Sequence, residues 1–103
     1  MDKRAAVRVP VRVRAQCRAH GIVVDGLVQD LSRSGLFLRA PSVIHEGAEA
    51  EVDLLLPGEP TLHFNAQVVR VEEQGMGLRL VGDPDHNRRT LANFIMRQHA
   101  TSR

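Results

Sequence analysis

The chain has 103 residues, of which 43% are hydrophobic and 25% charged, and its formal net charge is +2. This composition is that of one small globular domain, and it contains no apolar run long enough to cross a bilayer. Because the N-terminus also lacks the apolar stretch of a signal peptide, we expect a cytoplasmic protein without membrane insertion.

The first predicted element is a strand with one apolar and one basic face. From Val7 onwards apolar residues alternate with Arg8, Arg12, Arg14 and Arg18. Because successive side chains point to opposite faces of a strand, this pattern predicts a half-buried strand with an arginine-rich outer surface. Pro10 cannot donate a ladder hydrogen bond, which favours a position at an edge or near the start of the strand.

Five further strands are predicted at short spacing. A tight turn at His20-Gly21 leads into the second strand, in which Gly26 indicates a bulge. The predicted strands cover residues 22–29, 36–39, 48–56, 62–72 and 76–81. Six short strands separated by turns are typical of a closed antiparallel barrel.

After residue 82 the apolar period changes from that of a strand to that of a helix. Asp83 suits the N-cap and Pro84 the first helical position. A helix over about residues 84–99 places four side chains on one stripe, namely Leu91, Phe94, Ile95 and Gln98. The predicted fold class is therefore all-β, a six-stranded antiparallel β-barrel with a C-terminal α-helix, within one domain over residues 9–103.

Cysteine and histidine usage predicts neither a disulfide nor a metal centre. Cys17 is the single cysteine and lies in the apolar register of the first strand, which predicts a small buried side chain. The histidines are scattered without paired ligand spacing, at His20, His45, His63, His86 and His99. We therefore expect no bound metal and no cofactor.

Two short motifs stand directly before the first and third predicted strands. They are Arg4-x-x-x-Arg8 before "VPV" and Asp30-x-Ser32-x-x-Gly35 before "LFL". This pair, in this order and at these positions, resembles the PilZ domain, a bacterial six-stranded barrel that binds cyclic di-GMP. The resemblance runs from Arg4 to the terminal helix and includes "SGLFLRA" and "GMGLRL". It implies ligand-binding roles for Arg4, Arg8, Asp30, Ser32 and Gly35, with Lys3 as a further basic residue.

The chemistry of these residues fits a ligand with two phosphates and two guanines. Arginine grips phosphate oxygens with its planar fork and pairs with guanine O6 and N7. Asp30 offers an acceptor-only carboxylate to guanine N1 and N2, and Ser32 can donate or accept toward a phosphate or a base edge. Gly35 allows a positive φ or a close approach of the backbone to the ligand.

The RxxxR spacing also occurs at Arg8/Arg12 and Arg14/Arg18. We assign the motif to Arg4 and Arg8 because the family places its second arginine immediately before the first strand. Arg12 and Arg14 are interpreted as an exposed strand face.

The first eight residues are predicted to form a flexible arm, since residues 1–6 carry little apolar surface to dock it. The resemblance implies that ligand phosphates recruit Arg4 and Arg8 and fold this arm onto the Asp30–Gly35 turn. Lys3 would favour a stacked ligand dimer. The bound form would then signal to an unidentified protein effector, with motility, attachment or polysaccharide production as the outputs that the family suggests.

Two other functions compete with this one. A PilZ-like adaptor that has lost the ligand would act through protein contacts alone. A small barrel could also bind single-stranded nucleic acid with its arginine face, but such sites stack bases on aromatic side chains. The aromatic residues here lie in apolar patterns, so we expect no DNA binding; they are Phe37, Phe64 and Phe94. Ser32 has no histidine nearby in sequence, and we predict no catalytic residue and no enzymatic activity.

Overall fold

The structure, a computed structural model, describes residues 7–82 and 85–101. It contains six strands and one helix in this part of the chain: β1 (Val9–Ala19), β2 (Ile22–Leu31), β3 (Gly35–Arg39), β4 (Glu49–Leu55), β5 (Leu62–Glu72), β6 (Gly75–Val81) and α1 (Asp85–Thr101). The predicted fold class is confirmed, and each predicted strand lies within a few residues of the observed one. The predicted N-cap Asp83 and the following Pro84 lie outside the described residues.

The strands close into a barrel in the order β1-β2-β3-β6-β5-β4, with β4 pairing back onto β1. Every neighbouring pair is antiparallel, so none of the strands is an open edge over its whole length. β1 pairs with β2 from Val9 onwards but with β4 only over Arg14–Arg18. Pro10 therefore lies near the start of β1, where no β4 partner requires its missing N–H.

The inward-facing side chains form one contiguous apolar core, in which Phe64 is fully buried. Helix α1 packs against β1 and β5 and contributes the buried residues Leu91, Phe94 and Ile95 to this core. Three of the four residues of the predicted helical stripe are therefore confirmed as core residues, and the fourth, Gln98, is half-buried. Cys17 is buried as predicted, and burial raises the pKa of its thiol to about 11.

The predicted bulge at Gly26 is wrong. Gly26 pairs in unbroken register with Ala15 of β1, and the extra residue of β2 is Gln29, where the pairing with β3 shifts. A side chain at Gly26 would overlap the Arg39 carbonyl oxygen, so glycine is required here for the close approach of β3. Two further register shifts lie between Pro10 and Val13 in β1 and at Val69 in β5.

The predicted turn between β1 and β2 is confirmed. Its two residues, His20 and Gly21, have φ values of 52° and 77°, which is the left-handed conformation that two-residue hairpins favour. Over the described ranges, no helix combines the length and the apolarity that a membrane span needs.

Candidate functional site

Residues 30–35, which comprise the end of β2, a tight turn at residues 32–34 and the start of β3, are called the Asp30 corner here. Within it, the Ser32 amide donates to the Gly35 carbonyl oxygen at 2.8 Å. The Ser32 hydroxyl oxygen accepts hydrogen bonds from the amides of Gly35 and Ser34 at 3.2 and 3.3 Å. Ser32 is 0% exposed, so its hydroxyl satisfies the backbone of its own turn and does not face the solvent from which a ligand arrives.

Gly35 is required by the neighbouring strand. It pairs with Arg79 of β6, and a side chain at this position would overlap the Leu78 carbonyl oxygen. The φ of Gly35 is not in the left-handed region. The sequence suggested that Gly35 serves either a positive φ or a close approach of the backbone to the ligand. The structure shows a close backbone approach, and it is to β6.

The Asp30 corner is also tied to β6 and α1. The Leu80 amide donates to the Ser34 carbonyl oxygen at 2.8 Å. Arg88 of α1 donates from Nη1 to the Arg33 carbonyl oxygen at 3.3 Å and from Nη2 to the Leu80 carbonyl oxygen at 3.4 Å. A displacement of the corner would therefore be felt at the first turns of the helix.

The structure brings the two sequence motifs into contact through Arg8 and Asp30. Pro10 pairs with Asp30 across β1 and β2, and this register places Arg8 beside the carboxylate. Arg8 donates from Nη2 and Nε to Asp30 Oδ1, at 2.6 and 3.1 Å. Both bonds end on Oδ1, and no described residue donates to Oδ2. Arg4 and Lys3 lie outside the described residues, as does most of the predicted arm over residues 1–8.

The Arg8–Asp30 ion pair is exposed and therefore weak. The side chains are 52% and 39% accessible to solvent. Exposed ion pairs contribute roughly 0–1 kcal/mol, because water screens the charges and ordering both side chains costs entropy. This pair can open at little cost when a stronger anion approaches.

A second basic side chain, that of Arg70, lies on the same outer surface and was not predicted from the sequence as a site residue. Across the barrel, Asp30 pairs with Phe37, Phe37 with Gly77, and Gly77 with Arg70. The Arg70 guanidinium carbon lies 5.6 Å from the centre of the Phe37 ring, over space that Gly77 leaves open. A planar cation held in this way can stack on a nucleobase.

Strand alternation alone would place Arg70 in the core. Leu62, Phe64, Ala66 and Val68 all point inward, so the next residue of that parity is Arg70. The register shift at Val69 inserts one residue and turns Arg70 to the outer surface instead. Phe37 likewise lies in an apolar run, yet it is covered on the outer surface by Arg70 and is not part of the barrel core. A sequence signal for Arg70 would have required knowledge of this bulge.

A separate charged network occupies the outer surface of β1, β4 and β5. Arg18 donates to Asp53 at 2.8 Å and to Glu51 at 3.2 Å, and His63 Nδ1 lies 2.8 Å from Asp53 Oδ1. Burial alone would raise the pKa of Asp53, but the hydrogen bonds from Arg18 and His63 outweigh burial and leave that pKa below its usual value. Within residues 7–82 and 85–101, no group of three or more histidine, cysteine or acidic side chains is placed so that it could hold a metal ion.

Solved structures that share this fold include the following three. The inhibitor of motility MotI/DgrA from Bacillus subtilis superposes with a TM-score of 0.86 at 18% identity, over 100% of this chain and 54% of that one. The PilZ domain of YcgR from Escherichia coli, solved with cyclic di-GMP, gives 0.82 at 14% identity over 99% and 95%. The PilZ domain of CeSA from a cellulose-synthesizing bacterium gives 0.72 at 20% identity over 90% and 98%. The chain thus spans about half the length of MotI/DgrA.

At these identities the structural likeness shows the fold and leaves the ligand open. No curated protein matches the sequence. The sequence itself matches the family model described as PilZ domain over residues 2–97, which is nearly the whole chain. This chain belongs to the PilZ domain family.

Proposed function

We propose that the protein is a cyclic di-GMP receptor, with Arg4, Arg8 and the Asp30 corner as the ligand-binding residues. The contact between Arg8 and Asp30 carries this proposal, because it joins two motifs that are 22 residues apart in sequence. Membership of the PilZ family supports it, as does the PilZ domain of YcgR, which was solved with this ligand.

Asp30 serves guanine and Arg8 serves phosphate in this proposal. The Asp30 carboxylate accepts from the N1–H and N2–H donors of guanine, and its Oδ2 has no described donor to compete. Arg8 leaves Oδ1 and grips a phosphate with the same two N–H groups, since arginine binds phosphate as readily as carboxylate in a bidentate manner. The exchange replaces an exposed ion pair with contacts to a doubly charged ligand.

Ser32 and Gly35 act on the ligand through the shape of the corner. The Ser32 hydroxyl satisfies two backbone amides, and Gly35 lets β3 lie close against β6. Together they fix the position of the Asp30 carboxylate. Arg70 lies over Phe37 in the same cross-strand row and is ion-paired with Glu72 at 2.6 Å, and it offers a flat cation on which the second guanine can stack.

The arm over residues 1–8 carries the response to the ligand. Arg4 and Arg8 bind the phosphates and draw the arm across the outer surface of the barrel. Lys3 adds one more cation and favours a stacked ligand dimer over a monomer. The ordered arm then presents a new surface to a protein effector, and motility, attachment or polysaccharide production is the output.

Isothermal calorimetry tests the binding step. Titration with cyclic di-GMP should give a saturable binding isotherm, whereas titration with cyclic di-AMP or GTP should give none. Arg4→Ala, Arg8→Ala and Asp30→Ala should each weaken binding about 10- to 100-fold, since each removes a charge-assisted contact of about 1.5–3 kcal/mol. Arg14→Ala is the matched control, because it deletes the same side chain from the exposed face of β1 and should leave the affinity unchanged.

Amide hydrogen exchange tests the switch. Protection of residues 2–9 should rise on addition of cyclic di-GMP, and unchanged protection would refute an arm that orders on binding. A flat calorimetric trace would favour the adaptor that has lost the ligand. In that case Arg4→Ala and Arg8→Ala should leave binding to the protein effector intact.

A further inference from the structure

The outer surface of the barrel carries a row of alternating leucines and arginines. Leu55 of β4 pairs with Arg14 of β1, Arg14 with Leu27 of β2, and Leu27 with Arg39 of β3. Directly paired residues have Cβ atoms roughly 4.5–5.5 Å apart, so these four side chains form one continuous strip. Leu27 and Leu55 are 41% and 47% exposed and lie on either side of Arg14, so the strip presents both apolar and cationic groups to solvent.

The cations of this strip, and Arg12 beside it, are not neutralised from within the described part of the chain. Arg12, Arg14 and Arg39 have no acidic partner among residues 7–82 and 85–101. Arg18 offers the contrast, because it lies on the same face of β1 and is bonded to both Glu51 and Asp53. Among the described residues, Arg18 of β1 therefore has acidic partners, whereas Arg12 and Arg14 have none.

Two depressions flank the strip and share Leu27 and Arg39. The first has a volume of about 490 Å3 and extends to Arg12 and Gln29, at the bulges of β1 and β2. The second has a volume of about 400 Å3 and extends to Glu73. An acidic ligand is therefore favoured in the first depression and repelled at the far end of the second.

We propose that this arginine–leucine surface (Arg12, Arg14, Leu27, Arg39 and Leu55) is a docking site for an acidic segment of a partner protein. An apolar side chain of that segment packs against Leu27 and Leu55 across the aliphatic part of the Arg14 side chain. Its flanking carboxylates bind Arg14 and, in the first depression, Arg12 and Arg39. Charge complementarity sets the sign of the partner, and the exposed leucines add the apolar contact that distinguishes a protein segment from a simple polyanion.

Single-stranded nucleic acid fits this surface less well. Such ligands stack their bases on aromatic side chains. All three phenylalanines of the chain are buried, and it contains no tryptophan or tyrosine. The surface thus offers cations and leucines but no aromatic side chain on which bases could stack.

This docking site is distinct from the proposed ligand site and does not rest on it. Asp30, Phe37 and Arg70 belong to a different cross-strand row, and Arg8 lies before β1. Partner binding at the arginine–leucine surface and nucleotide binding at the Asp30 corner can therefore be measured separately, and a substitution can remove one without the other.

The test is an amide-shift NMR titration of the full chain with a short peptide in which glutamates flank one leucine. The matched peptide carries glutamines in place of the glutamates, and oligothymidylate is titrated in parallel. We expect the glutamate peptide to shift amides of Val11–Arg14, Leu27–Gln29 and Arg39, and the glutamine peptide to leave them in place. The absence of shifts, equal shifts with the glutamine peptide, or stronger binding of oligothymidylate to the same residues would overturn the proposal.

Charge reversal provides the second arm of the test. Arg14→Glu and Arg39→Glu should each lower the affinity for the glutamate peptide by about tenfold or more, as expected when an attractive charge contact becomes repulsive. Arg89→Glu on α1 makes the same charge change at a residue that lines neither depression, and it should alter the affinity by less than about twofold. Thermal unfolding checks that each variant folds.

The same variants separate this site from the ligand site. Arg14→Glu should retain the cyclic di-GMP affinity of the unmodified chain while it loses the peptide. Loss of both ligands together would assign Arg14 to the nucleotide site and overturn the docking surface. Failure of cyclic di-GMP to bind the unmodified chain would refute only the proposed receptor function.

Discussion

Replacement of Ser32 by alanine tests whether this residue builds the Asp30 corner. The hydroxyl accepts from the amides of Gly35 and Ser34, and it is fully buried. Alanine leaves the buried Gly35 amide without that acceptor, and an unsatisfied buried donor costs about 1–3 kcal/mol. The Ser34 amide is only partly buried, so water can replace its acceptor. We therefore expect Ser32→Ala to lower the free energy of unfolding by about 2 kcal/mol.

Urea denaturation measures this loss. With an m-value of about 1.5 kcal/mol per M, a change of about 2 kcal/mol lowers the midpoint by about 1.3 M. Ser34→Ala is the control, because this exposed residue loses only the 3.3 Å contact between its hydroxyl and that of Ser32. It should change the free energy of unfolding by less than about 0.5 kcal/mol. Equal midpoints for the two variants would refute the assignment of Ser32 to the turn.

Three further predictions concern other parts of the barrel. Gly35→Ala should destabilise the fold by about 3 kcal/mol in the same assay, because its methyl group overlaps the Leu78 carbonyl oxygen, and a neutral effect would contradict that packing. Cys17, whose buried thiol has a pKa of about 11, should react with iodoacetamide only through unfolding, so rapid labelling of the native chain would argue against its burial. Asp53→Asn should cost about 1 kcal/mol at neutral pH because the Arg18 hydrogen bond is weakened. Since the folded pKa of Asp53 is lowered, the difference in the free energy of unfolding between the two chains should be complete at pH values above the ordinary pKa of 3.8. It should disappear as the pH falls below that value, and a difference that is independent of pH would exclude the ion pair as its cause.

Element positions could be predicted well from the sequence because strand alternation and turn residues are local signals. The range Leu62–Glu72 was predicted for β5 and is observed, and the His20-Gly21 turn has the expected left-handed geometry. Strand register was less accessible. The bulges lie at Gln29, at Val69 and near the start of β1, and no glycine marks any of them. A register shift depends on the partner strand as much as on the bulged strand, so the residue type alone does not predict it.

In the candidate site, too, local signals could be predicted, and features that depend on strand pairing could not. The motif spacing pointed to Arg8 and Asp30, and the pairing of Pro10 with Asp30 supplies the physical reason for their contact. The inward position of the Ser32 hydroxyl could not be predicted, since a serine in a turn can face either its own backbone or the solvent. Arg70 escaped notice because its outer position depends on the bulge one residue before it.

In the proposed function, the arginine motif and the Asp30 corner bind one and the same ligand. A crystal structure of the protein with cyclic di-GMP would show whether they do. We expect the Arg8 guanidinium to have left Asp30 Oδ1 for a phosphate, with the freed carboxylate within about 3 Å of guanine N1 and N2. A ligand bound elsewhere on the barrel, with the Arg8–Asp30 pair intact, would contradict the claim.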